Sequence, residues 1–288
     1  TAHGGSKSDP KHQYFRCDVD DNCSLHPLTE ELGVTAPSVS PDDKYVYYFV
    51  DQTKPGGGRL TVKRVNLDGT GLKQLTGQGE DFSPGMEDYS TYSPPGWDDF
   101  EPTYLPDDQI IFCSTRANRY VQCWMTQVGT LHKCNADGSN IRALSANVEH
   151  DNTPWVLSSG QVAYMRWEYV DRSQVHFHHL WTMNPDGTGQ TALYGSNSLW
   201  PNSTFYARPV PGHATKFVGV ISGHHGVPRM GELVLFDTAL GRHEADGAVQ
   251  RIPGYSKEVG APIVDRLVNS SWPKFLHPWP LSDKYFLV

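Results

Sequence analysis

Three stretches of the chain decide its fold because they repeat one pattern: RVNLDGTGLKQLT (64–76), KCNADGSNIRALS (133–145) and TMNPDGTGQTALY (182–194). Each consists of an apolar strand, then Asn-x-Asp-Gly, then a second strand of mixed polarity. Asp-Gly favours a tight hairpin, because Gly tolerates positive φ and the Asp side chain can bond to the turn's own backbone. Degenerate copies occupy residues 14–29 and 234–247. The pattern therefore predicts a series of β-hairpins.

A second unit alternates with these hairpins and consists of a residue before proline, a short strand, a turn and a β-rich strand. It recurs at 36–50, 101–115, 153–167, 207–222 and 276–288. Its residues before proline are Ala36, Glu101, Thr153, Arg208 and His277. Ala36 lies 32 residues before Asp68, and Thr153 lies 33 residues before Asp186. This near-constant spacing indicates one repeat of two hairpins.

Two hairpins per repeat predict an all-β fold, a β-propeller of four-stranded antiparallel blades. Four complete blades run from Ala36 to Pro253, the first 31 residues resemble a half-blade, and residues 276–288 resemble another. The ring has five blades if the halves join, and six or more if the chain is a fragment. We expect a single propeller domain over residues 1–288, part of a longer chain, with an insertion loop at 77–100. A β-sandwich would also give regularly spaced strands, but it does not explain the alternating units.

Composition excludes several classes of protein. The net charge of −8 argues against non-specific binding to nucleic acid, which requires an excess of Lys and Arg. No apolar run approaches the roughly 20 residues that a membrane-spanning helix needs. Aromatic residues make up 11% of the chain, too many for a disordered protein.

The five cysteines bear on the compartment. Cys17 and Cys23 flank a short acidic turn and are predicted to form a small disulfide loop. Cys113, Cys123 and Cys134 lie within 22 residues, so a second disulfide would leave one thiol over. A local disulfide is typical of a periplasmic or otherwise exported protein.

The SPDD, LPDD and Asn-x-Asp-Gly units resemble the repeat of TolB-type propellers. The segments FCSTRANRYVQCWMTQVGTLHKCN, EHDNTPWVL and YMRWEYVDRSQVHFHHLWTMNPDGTG resemble the propeller region of proteins related to the hydrazine synthase alpha subunit, a family largely of planctomycetes. This resemblance implies an exported propeller beside c-type haem domains, as part of a larger complex. The chain has no Cys-x-x-Cys-His, so it carries no covalent c-type haem site of its own.

In a propeller the first strand of each blade lines the central channel, which brings residues from distant segments together. By the repeat alignment, Glu101, Thr153, Arg208 and His277 are equivalent. Asp99, His150 and Asp151 lie close to the same strands. Such carboxylates, imidazoles and a guanidinium could hold a metal ion or an anionic ligand. Alternatively, they pair with each other and with water in a polar funnel.

The segment from Arg166 to His179 is the densest polar stretch. On a strand His176 and His178 share a face, about 6–7 Å apart, so they could share a metal ion such as zinc with a third ligand. Cys113, Cys123 and Cys134 could supply thiolates as further ligands. The predicted metal ligands are thus His150, Asp151, His176, His178, Cys113 and Cys123, with zinc or calcium as the ion. The alternatives are a loop held by ion pairs, a disulfide or inert buried thiols.

His224 and His225 lie in the loop SGHHGVP, where flanking Gly residues let the backbone approach a ligand closely. The predicted ligand-binding residues are Asp99, Glu101, Arg208, His224, His225 and His277. We expect a scaffold and interaction domain that presents a polar funnel to a ligand, a metal ion or a neighbouring redox domain. The alternatives are a metal- or haem-dependent oxidoreductase of nitrogen metabolism, completed by His and Cys residues of this domain, and a TolB-like peptide-binding propeller.

Overall fold

The computed structural model describes residues 15–18, 24–31, 34–50, 60–77, 97–124, 126–225, 229–254, 258–260, 265–266 and 273–288. These residues form strands and turns and no helix, so none of their segments is a helix able to span a membrane. The chain divides into two compact units, Thr1–Ala146 and Asn147–Val288. Most of the predicted insertion loop, residues 78–96, lies outside the described residues.

The first unit contains one two-stranded and two four-stranded antiparallel sheets. The two-stranded sheet pairs β1 (Phe15–Asp18) with β2 (Ser24–Pro27). The next sheet is formed by β3 (Val34–Val39), β4 (Tyr45–Val50), β5 (Thr61–Asn66) and β6 (Lys73–Gln74). The third is formed by β7 (Asp99–Tyr104), β8 (Gln109–Ser114), β9 (Thr130–Asn135) and β10 (Arg142–Ala143). In both four-stranded sheets each strand pairs with the next one along the chain.

The second unit repeats this arrangement. One set of four strands is β11 (Asp151–Val156), β12 (Val162–Trp167), β13 (His178–Met183) and β14 (Thr191–Tyr194). The other is β15 (Ser203–Pro209), β16 (Lys216–Ser222), β17 (Glu232–Asp237) and β18 (Ala248–Ile252), and a parallel pair, His178 with Ser203, joins the two. β19 (Trp279–Pro280) pairs with β20 (Phe286–Leu287). The described residues therefore form four four-stranded sets and two half-sets, as the repeat predicted.

The repeated Asn-x-Asp-Gly turn links the third and fourth strands of a set. In the turn after β5, the Asp68 carboxylate accepts hydrogen bonds from the backbone N–H and the hydroxyl of Thr70, at 2.9 and 2.6 Å. The Asn66 amide donates to the same hydroxyl at 3.0 Å, and Gly69 has a φ of +83°. The same bonds recur at Asn135–Ser139 and Asn184–Thr188. The side chains that define the motif therefore build the turn.

The first strand of each four-stranded set carries a residue with positive φ, and His277 takes the same position two residues before β19. These residues are Ala36, Glu101, Thr153, Tyr206 and His277, with φ between +50° and +53°. In the four complete sets the ladder register shifts at this point, which is the signature of a β-bulge. Because the bulge recurs at the same place, its backbone strain belongs to the repeat rather than to one site.

This bulge corrects the alignment of Arg208 with Glu101, Thr153 and His277. In β15 the register shifts between Phe205 and Arg208, so Tyr206 takes the bulge position and Arg208 lies two residues further on. The prediction was wrong because it aligned the prolines, and in this strand the residue after the bulge residue is Ala207 instead of proline.

Apolar faces of the strands pack into separate cores within each unit. In the first unit Tyr47, Ile110 and Phe112 are fully buried in one cluster. In the second unit, Phe217 and Phe236 stack with ring centroids 4.8 Å apart. These cores hold the sheets rigid, so that residues at the strand ends keep fixed positions.

Candidate functional site

Within the second unit, equivalent positions of the first strands β11, β15 and β19 meet. Tyr206 and His277 have ring centroids 4.3 Å apart. Two residues further along these strands, the Arg208 guanidinium lies 3.7 Å from the centroid of the Trp155 ring, and Trp155 contacts Trp279 edge-on at 5.6 Å. Arg208 and His277 thus lie in two different layers of the region where these first strands converge.

In the first unit, Asp99 at the start of β7 forms a buried ion pair. Arg116 Nη2 lies 2.7 Å from one Asp99 oxygen, and its Nε lies 3.3 Å from the other. Burial raises the pKa of Asp99, and the Arg116 guanidinium opposes that rise. Beside it on β7, Glu101 accepts a hydrogen bond from the Cys113 thiol at 3.4 Å. These two predicted ligand-binding carboxylates therefore make protein contacts.

Asp151 occupies the equivalent place at the start of β11 in the second unit. It is fully buried, and Arg166 Nε and Nη2 contact its two oxygens at 2.8 and 2.9 Å. The guanidinium also lies over the Trp181 ring at 4.6 Å. Asp151 was predicted as a metal ligand, and its two oxygens here accept a bidentate guanidinium instead.

Near this ion pair lies a group of stacked rings, which we call the imidazole–indole cluster: Trp167, Tyr169, His150, His178 and His224. The rings of His150, Tyr169 and His178 lie within 20° of parallel to the Trp167 indole, with centroids 6.0, 5.3 and 5.0 Å away. His224 contacts the same indole at 5.1 Å. Three histidines from separate segments therefore surround one buried tryptophan.

Strand ends explain this convergence. His150 comes directly before β11, Trp167 ends β12, and His178 begins β13 opposite Trp167 in the ladder. His224 follows β16, the second strand of the next set. In an antiparallel set, the start of the first strand, the end of the second and the start of the third lie at one end of the sheet. The cluster therefore occupies that end.

Two imidazoles of the cluster, those of His178 and His224, are hydrogen-bonded to each other. His178 Nε2 and His224 Nδ1 are 3.2 Å apart, so one nitrogen donates to the other. Burial lowers the pKa of His178 well below its ordinary value, and the neighbouring His224 lowers it further. Among the residues that the structure describes, none forms a hydrogen bond with His178 Nδ1. The His178 imidazole is therefore neutral at pH 7 and is a potential metal ligand or hydrogen-bonding group.

The remaining histidines of this region have other partners. His176 precedes β13 rather than lying on it, and its Nδ1 is 3.0 Å from the Asn202 amide, so the predicted shared strand face with His178 was wrong. His179 is fully buried, with Nδ1 3.7 Å from Glu168. His225 Nδ1 lies 2.5 Å from the Asp265 carboxylate.

Across the part of the chain that the structure describes, no group of three or more His, Cys, Asp or Glu side chains is arranged to hold a metal ion. Cys113 is buried in β8, and Cys123 is exposed in the loop that follows it. Cys134 pairs with Ile110 in the ladder, so it lies opposite neither of them. For the predicted disulfide, Cys17 is exposed on β1, and Cys23 lies outside the described residues.

Sequence reasoning missed three parts of this region. Trp167 and the adjacent Tyr169 were not expected to organise the histidines, although both lie in the segment noted for its polarity. Asp265 belongs to no sequence motif, and its hydrogen bonds from the backbone N–H groups of His224 and His225 form only when the chain folds.

No protein-family model matches the sequence, and no curated protein matches it. Solved structures do match. Hydrazine synthase from Kuenenia stuttgartiensis has a TM-score of 0.57 at 14% identity, over 77% of this chain and 34% of that one. A structure described as a putative TolB from Agrobacterium tumefaciens has a TM-score of 0.53 at 14% identity, over 80% and 72% of the two chains. An oligogalacturonate lyase in complex with manganese has a TM-score of 0.50 at 15% identity, over 83% and 59%.

These likenesses, at identities near 15%, concern the fold alone. This chain spans about a third of the hydrazine synthase chain that it matches. Together with four-stranded antiparallel sheets in series, they show that the chain has the fold of a TolB-type β-propeller, of which hydrazine synthase contains a similar example.

Proposed function

We propose that this propeller is a binding domain that presents the imidazole–indole cluster to a ligand, a metal ion or a neighbouring redox domain. The observation that carries the proposal is the convergence of His150, His178 and His224 on one buried indole. Packing alone would favour apolar side chains at a buried tryptophan, because burying polar groups costs free energy unless they are hydrogen-bonded. Imidazole nitrogens at this place are groups suited to binding a ligand or a metal ion.

The spacing of two nitrogens supports a metal ion as one ligand. Zinc binds imidazole nitrogen at about 2.0–2.1 Å, so two ligands of a tetrahedral ion lie about 3.3 Å apart. His178 Nε2 and His224 Nδ1 are separated by 3.2 Å. Water or a partner would supply the other ligands, since the described residues offer no third one.

Titration calorimetry of the purified chain tests this proposal, with Zn²⁺ and a haem-bearing peptide as separate probes. We expect one equivalent of at least one probe to bind, and His224→Asn to weaken that binding at least tenfold, about 1.4 kcal/mol. The matched control is His213→Asn, because His213 is also half-exposed and pairs with Asp283 elsewhere in the second unit. Absence of binding by both probes, or equal binding by the two variants, would contradict the proposal.

We further propose that the domain belongs to a longer exported polypeptide or to a complex with a haem-bearing partner. The fold shared with part of hydrazine synthase supports this context, because that chain extends well beyond its propeller. The mass of the native particle and its location after cell fractionation test the two parts of the proposal. A particle of 32.1 kDa in the cytoplasmic fraction would contradict both the longer chain or complex and the export.

A further inference from the structure

A second chemical feature of the unit Asn147–Val288 is a pair formed by His225 and Asp265. Asp265 Oδ2 lies 2.5 Å from His225 Nδ1. The other carboxylate oxygen accepts the backbone N–H groups of His224 and His225, at 3.0 and 2.8 Å. Three hydrogen bonds therefore fix the Asp265 carboxylate: one oxygen bonds to the His225 imidazole, and the other accepts two backbone N–H groups.

The carboxylate fixes the tautomer of the imidazole. Burial works to raise the pKa of Asp265, but hydrogen bonds from the His225 backbone and ring outweigh it, so the pKa lies below its ordinary value. An ionised carboxylate accepts only, so Nδ1 of His225 carries the proton and donates it. The Nε2 lone pair then points away from the carboxylate.

The Nε2 side of His225 is accessible. The side chain of His225 is 45% exposed, and that of Asp265 is 26% exposed. Within the described ranges no hydrogen bond reaches Nε2, and the nearest ring is that of His224, edge-on at 4.5 Å. An imidazole oriented through Nδ1 with Nε2 open to solvent is the arrangement of a general base.

We propose that His225, oriented by Asp265, is a general base that activates water for the hydrolysis of activated esters. Nε2 takes a proton from water as the water oxygen forms a bond to the ester carbonyl carbon. The tetrahedral intermediate then expels the alkoxide or phenoxide, which takes that proton from the imidazolium. The products are a carboxylic acid and an alcohol, and no oxidant or cofactor is consumed.

The expected rate enhancement is modest because proton transfer to His225 is its only source. General base catalysis contributes about 10²–10⁴-fold. The backbone N–H groups of His224 and His225 already bond to Asp265, so they do not serve a developing oxyanion. The activity needs neither a partner nor the Trp167 indole, so it stands apart from the proposed binding function.

Hydrolysis of p-nitrophenyl acetate by the whole chain tests this proposal, with His225→Gln, Asp265→Asn and His26→Gln compared at equal concentration. His26 is the matched control, because it is also exposed and its ring is hydrogen-bonded, among the described residues, to the Ser24 hydroxyl and to no carboxylate. We expect His225→Gln to lose about 100-fold of the protein-dependent rate, and Asp265→Asn at least about tenfold. The His26 variant is expected to match the wild type.

Rescue by a second carboxylate separates orientation from a purely structural effect. Asp265→Glu keeps a carboxylate that can accept from His225 Nδ1, so it is expected to recover part of the rate that Asp265→Asn loses. Circular dichroism checks that each variant is folded. A wild-type rate equal to that of folded His225→Gln, or equal losses in the His225 and His26 variants, would overturn the proposal.

Discussion

Replacing His132 by phenylalanine is expected to make the protein more resistant to acid. His132 lies on β9, only 5% of it is exposed, and its ring stacks on Phe112 with centroids 6.2 Å apart. Burial lowers its pKa from 6.5 to about 4, although its Nδ1 contacts the Thr130 carbonyl oxygen at 3.3 Å. His132 is therefore protonated at a higher pH in the unfolded chain than in the folded protein.

The sign and size of the effect follow from linkage. Between the two pKa values the unfolded state binds more protons, so stability is complete above about pH 6.5 and falls as the pH drops toward about 4. At about pH 5 the loss from this one group is about 2 kcal/mol, and it reaches about 3 kcal/mol below pH 4. Phenylalanine cannot be protonated, so His132→Phe removes this loss.

Urea unfolding followed by tryptophan fluorescence measures the effect at about pH 8 and about pH 5. The wild type is expected to lose about 2 kcal/mol more than His132→Phe between the two conditions. Exposed His26 provides the control, since His26→Phe is expected to lose as much as the wild type. An equal loss in the wild type and His132→Phe would refute the reasoning.

Three further substitutions test the packing by urea unfolding. Gly138→Ala is expected to destabilise the protein more than Gly160→Ala. Both glycines have positive φ, but a Cβ at Gly138 would lie 2.2 Å from a backbone carbonyl oxygen, whereas one at Gly160 would meet no atom within 4 Å. Equal losses of stability would count against the described turn at Gly138. Phe236→Ala is expected to cost about 3–5 kcal/mol, since the ring is fully buried, whereas Leu240→Ala, at a 65% exposed position, should cost under about 0.5 kcal/mol. Arg166→Met is expected to lower the free energy of unfolding by about 3–5 kcal/mol, because the buried Asp151 carboxylate loses its guanidinium partner. A loss under about 1 kcal/mol would show that this ion pair is not buried in solution.

The sheets could be predicted from the sequence because their signals are local. An Asn-x-Asp-Gly turn is built by its own side chains, so Asp68, Asp137 and Asp186 each identify a hairpin without help from the rest of the chain. The same locality explains why the four complete sets and both half-sets were expected at the observed residues.

The register of the first strand was harder to predict from the sequence. A β-bulge is defined by pairing with the next strand, and proline follows the bulge residue in only three of the four complete sets. In β15 the bulge falls at Tyr206 while the proline follows Arg208, so the local signal and the pairing disagree.

The candidate site could be predicted only in part. Histidine density marked His150, His178, His224 and His225 as candidates, but it could not show that the first three contact one indole. Asp265 lies 40 residues after His225, and no pattern connects them before the chain folds. Contacts across such distances are set by strand topology, which single residues do not encode.

The claim on which the binding function depends is that distant histidines meet at Trp167. Nuclear Overhauser spectroscopy on protein labelled only at tryptophan and histidine measures this directly, with Trp167→Phe used to assign the indole signals. Cross-peaks from the Trp167 indole to His178 and His224 are expected, since the ring centroids are 5.0 and 5.1 Å apart. An indole with cross-peaks to neither imidazole would contradict the convergence, and with it the proposed site.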